Sequence, residues 1–171
     1  GGRRVIPSER EETNMKTRYY LAYGSNLNIQ QMKRRCSTAR IIGTTEIQGY
    51  ELLFKGSKSG AYLTIEQNPK GCVPAAVWET TAADEAALDR YEGFPSFYYK
   101  KEMELPVKEL HSGETKRLTV YVYIMHEERE IGIPSYPYLK TCLDGYRDFG
   151  LPEAYFWQAL KTTRRLYDEG K

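Results

Sequence analysis

The chain has 171 residues, of which 40% are hydrophobic and 28% are charged, and its formal net charge is +2. This length allows one domain with a core of its own, and basic pairs scattered among acidic residues argue against a nucleic-acid-binding protein. Because no apolar stretch is long enough to cross a membrane and no signal peptide opens the chain, we expect a cytoplasmic protein without a membrane partner.

The cysteines and histidines form no disulfide or metal pattern. Cys36, Cys72 and Cys142 are odd in number, far apart and never in a Cys-x-x-Cys pair, which disfavours a disulfide framework and a zinc site. His111 and His126 have no cysteine or carboxylate at ligand spacing. We therefore expect a reducing compartment and no bound metal.

Residues 1–14 are polar and charged, and they precede a methionine at position 15. We interpret them as the remnant of a tag or as a disordered extension, and we leave them out of the predicted fold. The single predicted domain covers residues 15–171.

The first predicted element is an aromatic strand that ends in a tight turn. The octapeptide at residues 19–26, Tyr-Tyr-Leu-Ala-Tyr-Gly-Ser-Asn, begins with strand-forming residues and ends with residues that favour turns. Residues 28–35 are then predicted to form a helix, whose start weakly resembles a capping box at Asn28 and Gln31. A glycine turn between a strand and a helix exposes backbone N–H groups, so this turn is predicted to hold an anion or a developing oxyanion.

Glycines and a proline divide the next part of the chain into short segments. Each segment is rich in β-branched or aromatic residues, and the breaks fall at Gly49, Gly56, Gly60 and the Pro-Lys-Gly tripeptide at residues 69–71. The pattern predicts β segments at residues 39–48, 50–55, 61–66 and 73–79.

A helix and a second hairpin follow. Thr81 and Asp84 have the spacing of a capping box, and Gly93 supplies a stop for the helix that begins there. Residues 98–107 and 116–126 return to strand, the second with a clean alternation of apolar and polar side chains. The polar residues 108–115 between them are predicted to form the hairpin loop.

The chain ends in helices, one predicted at residues 138–149 and one after Pro152, where a proline suits a first turn. Many short strands with a few helices are typical of an α+β protein. The sequence therefore predicts an α+β fold, in which a small mixed β-barrel carries a few flanking helices.

Glu92 lies where an ionised carboxylate is unfavourable. It falls in the last turn of the predicted helix, where the helix dipole disfavours negative charge, and Asp89 on the same face adds repulsion. Aromatic residues close to it in sequence could remove it from water. All three effects raise a carboxyl pKa, which suits a group that accepts and returns a proton near neutral pH. The alternative is an ordinary exposed glutamate at a frayed helix end.

Two motifs with their spacing resemble the γ-glutamylcyclotransferase-like family. They are Tyr-Leu-Ala-Tyr-Gly-Ser-Asn-Leu at residues 20–27 and Leu-Asp-Arg-Tyr-Glu-Gly at residues 88–93. The segment Pro-Ser-Tyr-Pro-Tyr at 134–138 and the later Gly-Leu-Pro-Glu-Ala-Tyr at 150–155 are also similar to that family. The resemblance covers nearly the whole chain from Met15 to about Tyr155.

The resemblance implies a compact mixed barrel, with a cavity between the loop at residues 23–27 and a catalytic glutamate, here Glu92. The family reaction releases 5-oxoproline from a γ-glutamyl compound, whose own α-amine attacks its γ-carbonyl. Because the nucleophile arrives with the substrate, the reaction needs no cofactor, metal or protein nucleophile. The implied partner is a small γ-glutamyl molecule, and the protein is expected to be a monomer or a homodimer.

The resemblance also implies roles for individual residues. Glu92 is expected to take a proton from the substrate α-ammonium and to return it to the leaving nitrogen. Backbone N–H groups of residues 23–26 are expected to hold the α-carboxylate or the tetrahedral oxyanion. The predicted substrate contacts are Tyr23, Gly24, Ser25, Asn26, Leu27, Tyr138 and, as a lesser candidate, Tyr98.

Several alternatives remain open. Ser25 has neither a nucleophile-elbow motif nor a histidine partner, and we expect it to shape the turn. Asn26 is as well placed to cap the helix as to touch a ligand, and Tyr121 and Tyr123 can face the cavity or solvent. The rival function is a non-catalytic module that binds a small ligand or a protein on the same fold. Glutathione, γ-glutamyl dipeptides and γ-glutamyl amines all fit as substrates.

Overall fold

Five strands close into a mixed β-barrel in the computed structural model, which describes residues 16–57 and 60–170. They are β1 (Thr17–Ala22), β2 (Arg40–Ser57), β3 (Gly60–Thr81), β4 (Tyr98–Glu109) and β5 (Thr115–Met125). The order around the barrel is β3-β1-β5-β4-β2, and β2 pairs back with β3. β1 and β5 are parallel, whereas the other pairs of the barrel are antiparallel. The prediction of an α+β fold with a small mixed barrel is confirmed.

A short strand, β6 (Glu130–Ile131), pairs with the end of β2 and was not predicted from the sequence. The predicted tag or extension at residues 1–14 lies outside the described residues.

The four β segments predicted between residues 39 and 79 are two long strands. At Gly49 the pairing shifts between Gln48 and Tyr50, and on the opposite strand residues 68–71 have no partner in the β2–β3 register. The backbone of Gly49 has a positive φ of 80°, which suits a bulge. The turn-forming residues therefore interrupt the ladder locally, and the pairs on either side keep the hairpin continuous.

Four helices flank the barrel: α1 (Ile29–Arg35), α2 (Ala82–Glu92), α3 (Tyr136–Asp148) and α4 (Glu153–Glu169). The predicted capping box of α2 is complete, since Thr81 and Asp84 exchange side-chain and backbone hydrogen bonds. Gly93 ends this helix with a positive φ of 61°, as a C-terminal glycine should. These two signals fix where the α2 backbone stops, and therefore where Glu92 lies.

The predicted start of α1 is half correct. The Asn28 side chain accepts a hydrogen bond from the Gln31 N–H at 3.0 Å, which caps the helix. The return bond of a capping box does not form, because the Asn28 N–H donates to the Ser25 carbonyl instead, also at 3.0 Å.

The helix α3 begins at Tyr136, two residues before the predicted start, with Ser135 as its cap and Pro137 in its first turn. Pro137 is compatible with this position because the first turn needs no N–H donor there. Pro152 occupies the cap position of α4, just before the helix rather than within its first turn.

The core positions the helices against the barrel. The rings of Phe54 on β2 and Phe156 on α4 meet edge to face with centroids 6.0 Å apart, and both side chains are fully buried. On α3, a Cβ atom at Gly145 would lie only 2.5 Å from the Leu27 Cβ and 2.6 Å from the Asn28 nitrogen. The backbone of α3 therefore packs directly against the segment that joins β1 to α1.

Among the helices of the described ranges, none has both the length and the apolar character needed to cross a membrane.

We predict that Gly145→Ala lowers the free energy of unfolding by roughly 1–3 kcal/mol, because the new methyl group overlaps backbone that has no space to move. Chemical denaturation measures the change. Gly170→Ala is the matched control, since the nearest atoms to its Cβ lie at an ordinary 3.6 Å. Equal stability of the Gly145→Ala protein and the wild type would contradict the close packing of α3.

Candidate active site

A cavity of about 330 Å³ lies where the segment after β1, the end of α2 and the start of α3 meet. Its wall brings together seven of the eight residues that the sequence nominated: Tyr23, Gly24, Ser25, Asn26, Glu92, Tyr98 and Tyr138. Glu92 and the Gly-Ser-Asn turn thus face one space, although they belong to different elements of the chain.

Leu27 does not line this cavity. Its side chain is fully buried and lies against Gly145 of α3, where an apolar residue fills the space left by the missing Cβ. In this structure Leu27 supports the turn from behind, and its contact with substrate stays a prediction.

The turn after β1 has two backbone donors that it does not use itself. The segment, which we call the donor turn (residues 24–27), is one turn of 3₁₀-helix in which the Leu27 N–H donates to the Gly24 carbonyl at 3.0 Å. The first N–H groups of any helix, here those of Ser25 and Asn26, have no carbonyl within it to reach. Gly24 precedes them and has no side chain that could cap them. The turn can therefore donate two N–H groups to an anionic ligand.

The side chains of the donor turn bond to the protein. The hydroxyl groups of Ser25 and Tyr91 are 2.9 Å apart, and no histidine takes part in this contact. Asn26 is buried; its amide N–H donates to the Tyr20 hydroxyl at 2.9 Å, and its amide oxygen accepts from Arg35. Asn26 therefore caps no helix, a role that Asn28 takes, and its side chain holds the turn in place.

Glu92 is the last residue of α2 and is partly buried in the cavity wall. Burial raises the pKa of its carboxyl to about 7, against an ordinary value near 4.5, and the positive charge of Arg35 partly opposes this rise. A carboxyl with this pKa is present in both protonation states at neutral pH. It is therefore suited to take up and release a proton.

The repulsion predicted between Asp89 and Glu92 does not contribute. Asp89 accepts a hydrogen bond from the Tyr123 hydroxyl at 2.6 Å and forms an ion pair with Lys100 at 2.9 Å. These two contacts neutralise its charge locally, so the desolvation expected from the aromatic residues is the effect that raises the pKa of Glu92.

Tyrosine hydroxyls surround the carboxyl and remain protonated. Burial raises the pKa of Tyr20, Tyr23 and Tyr98 well above 10, and the charge of Glu92 raises it further. Burial does the same for Tyr138. These phenols act as neutral hydrogen-bonding groups, so they add no charge that competes with Glu92.

Two of the phenols are fixed to the backbone of one β3 residue. The Tyr98 hydroxyl donates to the Leu63 carbonyl at 2.9 Å, and the Leu63 N–H donates to the Tyr138 hydroxyl at the same distance. The tyrosines of β4 and α3 are thereby held on either side of one β3 residue that itself lines the cavity.

The open question about Tyr121 and Tyr123 is answered by their contacts. Tyr123 lines the cavity and bonds to Asp89. Tyr121 is fully buried, and its hydroxyl lies 2.6 Å from that of Thr80.

The sequence motifs did not indicate every residue of the cavity wall. They also gave no role to Arg35, which lies beside the cavity and was grouped with the scattered basic residues. Tyr62 and Leu63 line the wall but lie in a segment that carries no motif, whereas Phe97 is one of the aromatic residues expected near Glu92 from the sequence. The signal that could have identified Arg35 is its place at the end of a short helix that begins directly after the turn.

Within the part of the chain that the structure describes, no group of three or more histidine, cysteine or acidic side chains is arranged to hold a metal ion. Cys36, Cys72 and Cys142 are all free thiols, and Cys36 and Cys142 are buried.

Comparisons with known proteins point to one family. The family model that matches is gamma-glutamyl cyclotransferase, AIG2-like, over residues 20–140. The mouse gamma-glutamylcyclotransferase is 31% identical over 147 residues, which cover 82% of this chain and 76% of the relative. The human protein of the same name is 31% identical over 143 residues, covering 80% and 73%. A solved structure described as a gamma-glutamyl cyclotransferase has a TM-score of 0.71 at 26% identity, covering 89% of this chain and 87% of its own.

The raised pKa of Glu92 predicts a stability cost that depends on pH. Because the carboxyl binds its proton more tightly in the folded state, the wild type loses stability as pH rises from about 4.5 to about 7. Glu92→Gln has no carboxyl at this position, so its stability does not include this pH-dependent cost. Relative to the wild type, the variant should gain up to about 3 kcal/mol of unfolding free energy between pH 4 and pH 8.

Denaturant titrations at several pH values measure this difference. Glu128→Gln, at an exposed position, is the control and should show no such trend. A Glu92→Gln difference that stays constant from pH 4 to pH 8 would mean that Glu92 titrates like an exposed carboxyl.

Proposed function

Since the chain belongs to the γ-glutamyl cyclotransferase, AIG2-like family, we propose that it releases 5-oxoproline from a γ-glutamyl amino acid or a γ-glutamyl amine. A cyclotransferase activity is the one that its named relatives share. One observation supports the reaction most directly: the Glu92 carboxyl and the donor turn line the same cavity. A base and a set of N–H donors on one cavity wall are what an intramolecular acyl transfer requires.

Glu92 acts first as a base. Its carboxylate takes a proton from the α-ammonium of the substrate, and the freed amine attacks the γ-carbonyl carbon to form the ring bond. The tetrahedral intermediate then collapses, the bond to the leaving nitrogen breaks, and the protonated Glu92 returns its proton to that nitrogen. The regenerated carboxylate accepts the second proton from the ring nitrogen and passes it to the departing amine, which leaves as an ammonium. The products are 5-oxoproline and a free amine or amino acid, and the carboxylate is regenerated without consuming water.

The donor turn supplies electrostatic stabilisation. The N–H groups of Ser25 and Asn26 hold either the α-carboxylate of the substrate or the oxyanion that develops on the γ-carbonyl. Either contact fixes the γ-glutamyl chain in a bent conformation. Because the attack is already intramolecular in the free substrate, the turn contributes by holding the conformation in which the amine and the γ-carbonyl carbon meet.

The pKa of Glu92 fits its double role. A carboxyl with its pKa near 7 is ionised often enough to accept a proton, and acidic enough to return it to the leaving nitrogen. A module that only binds a ligand has no use for a carboxyl held at this pKa, and it would bear the cost of burying the group without benefit.

We predict that Glu92→Gln lowers kcat for 5-oxoproline release by about 10²–10⁴-fold, because the amide can neither accept nor return the proton. The assay is chromatographic measurement of 5-oxoproline with a panel of γ-glutamyl dipeptides, glutathione and γ-glutamyl amines. Circular dichroism checks that the variant remains folded.

Ser25→Ala is the comparison variant. It removes the contact with the Tyr91 hydroxyl and should cost roughly tenfold or less, as expected for one hydrogen bond. A wild-type protein that releases no 5-oxoproline from any member of the panel would overturn the proposed function. A fully active Glu92→Gln protein would overturn the role of Glu92, and a Ser25→Ala protein as inactive as Glu92→Gln would point to a serine nucleophile.

A further inference from the structure

We propose that Arg35 is a positioning residue of this site, which fixes the donor turn against the end of α2 so that the turn and Glu92 act on the same substrate. The proposal rests on the proposed function, because it assigns Arg35 a role in that reaction. It is independent of the substrate's leaving group.

The contacts of Arg35 join the two halves of the cavity wall. Its guanidinium donates to the side-chain oxygen of Asn26 in the donor turn. Its Cζ atom lies 3.4 Å from the centroid of the Tyr91 ring, so the guanidinium stacks closely on that ring. Tyr91 precedes Glu92 in α2, and the Tyr91 hydroxyl returns to the donor turn at Ser25, 2.9 Å away.

These four side chains form a closed circuit: Arg35 to Asn26, along the backbone to Ser25, across to Tyr91, and back to Arg35. The circuit leaves the donor turn little freedom to move relative to α2. Because Asn26 is buried and also bonds to Tyr20 of β1, the circuit is anchored in the barrel.

The chemistry of this position favours arginine over lysine. A planar guanidinium can stack on a ring with its face and donate hydrogen bonds from its edge at the same time, whereas an ammonium is a point charge that cannot do both. Arg35 is partly buried, whereas its neighbours Lys33 and Arg34 on α1 are exposed. The last of three consecutive basic residues is thus the one that is built into the site.

The charge of Arg35 also acts on Glu92. Burial raises the pKa of Glu92, and the guanidinium limits that rise by favouring the ionised carboxylate. The neighbouring phenols stay neutral, and Asp89 is paired with Lys100, so neither offsets the effect. The charged or titratable groups around Glu92 are Tyr20 and Tyr23 near β1, Arg35 on α1, Tyr62 on β3, Asp89, Arg90 and Tyr91 on α2, Tyr98 on β4, Tyr123 on β5 and Tyr138 on α3.

The test uses Arg35→Met, Arg35→Lys and the matched control Arg34→Met. For the wild type, the acidic limb of kcat/KM against pH should have its midpoint near pH 7. Arg35→Met should move this midpoint to higher pH and lower kcat by about 10²-fold with a smaller change in KM, because the reacting groups are displaced. Arg35→Lys keeps the charge but not the stacked geometry, so its midpoint should stay close to that of the wild type while kcat falls.

A measurement that needs no catalytic turnover tests the role of Arg35 separately from the proposed function. In protein labelled with ¹³C-glutamate, the side-chain carboxyl signal of Glu92 is assigned by its absence from Glu92→Gln and followed through a pH titration. Its titration midpoint should rise in Arg35→Met and remain unchanged in Arg34→Met. If the wild type forms no 5-oxoproline, the proposed function fails, whereas the titration still decides whether Arg35 acts on Glu92.

Two results would overturn the role of Arg35. One is an Arg35→Met protein with wild-type kcat and an unshifted Glu92 titration. The other is a loss of kcat that is equal in Arg35→Met and Arg34→Met and that parallels a loss of folded protein in thermal denaturation. This result would mean that the basic residues of α1 contribute only to the stability of the fold.

Discussion

The burial of the Glu92 carboxyl at the end of α2 is the constraint around which the site is built. Removing this group from water raises its pKa to about 7, and the nearby guanidinium of Arg35 keeps the rise from going further. The same burial keeps the surrounding tyrosines protonated. The result is one titrating group near neutral pH within a wall of neutral hydroxyls, which is an environment suited to proton transfer.

The barrel makes this arrangement possible because it brings distant segments to one cavity. β1 leads into the donor turn, α2 ends at Glu92, and α3 packs against the turn at Gly145. The two ends are fixed locally, by the 3₁₀ turn after Gly24 and by the left-handed glycine at position 93, and Gly145 lets the interior of α3 pack against the turn. The pocket is therefore defined by where the elements stop.

Features set by short-range signals could be predicted from the sequence. The capping box and the terminal glycine of α2 locate Glu92 at a helix end, and the Gly-Ser-Asn turn after an aromatic strand indicates free N–H groups. The alternation of residues 116–126 indicates a strand, and β5 forms there. The alternation does not show that residues 120–125 are buried on both faces of this strand, because that burial depends on the rest of the barrel.

Features set by tertiary contacts could not be predicted. Gly49 and the Pro-Lys-Gly segment at residues 69–71 suggest breaks, but pairing on both sides carries the β2–β3 hairpin past them. Gly56 and Gly60 do mark a break, because β2 ends and β3 begins there. Leu27 belongs to the family motif, but whether it faces ligand or core depends on the approach of α3. In the sequence, Arg35 is one of three consecutive basic residues and has no feature that distinguishes it from the other two. Its stacking on Tyr91 could not be predicted, because that contact joins two helices that are far apart in sequence.

The most direct test of the account is a crystal structure of the Glu92→Gln protein with an uncleaved γ-glutamyl dipeptide. The central claim is that the donor turn and residue 92 act on one substrate from the same cavity. We expect the substrate α-amine within about 3 Å of the substituted side chain at position 92, and a carboxylate or γ-carbonyl oxygen at the N–H groups of Ser25 and Asn26. A γ-glutamyl group bound with its α-amine away from residue 92, or bound outside this cavity, would contradict the account.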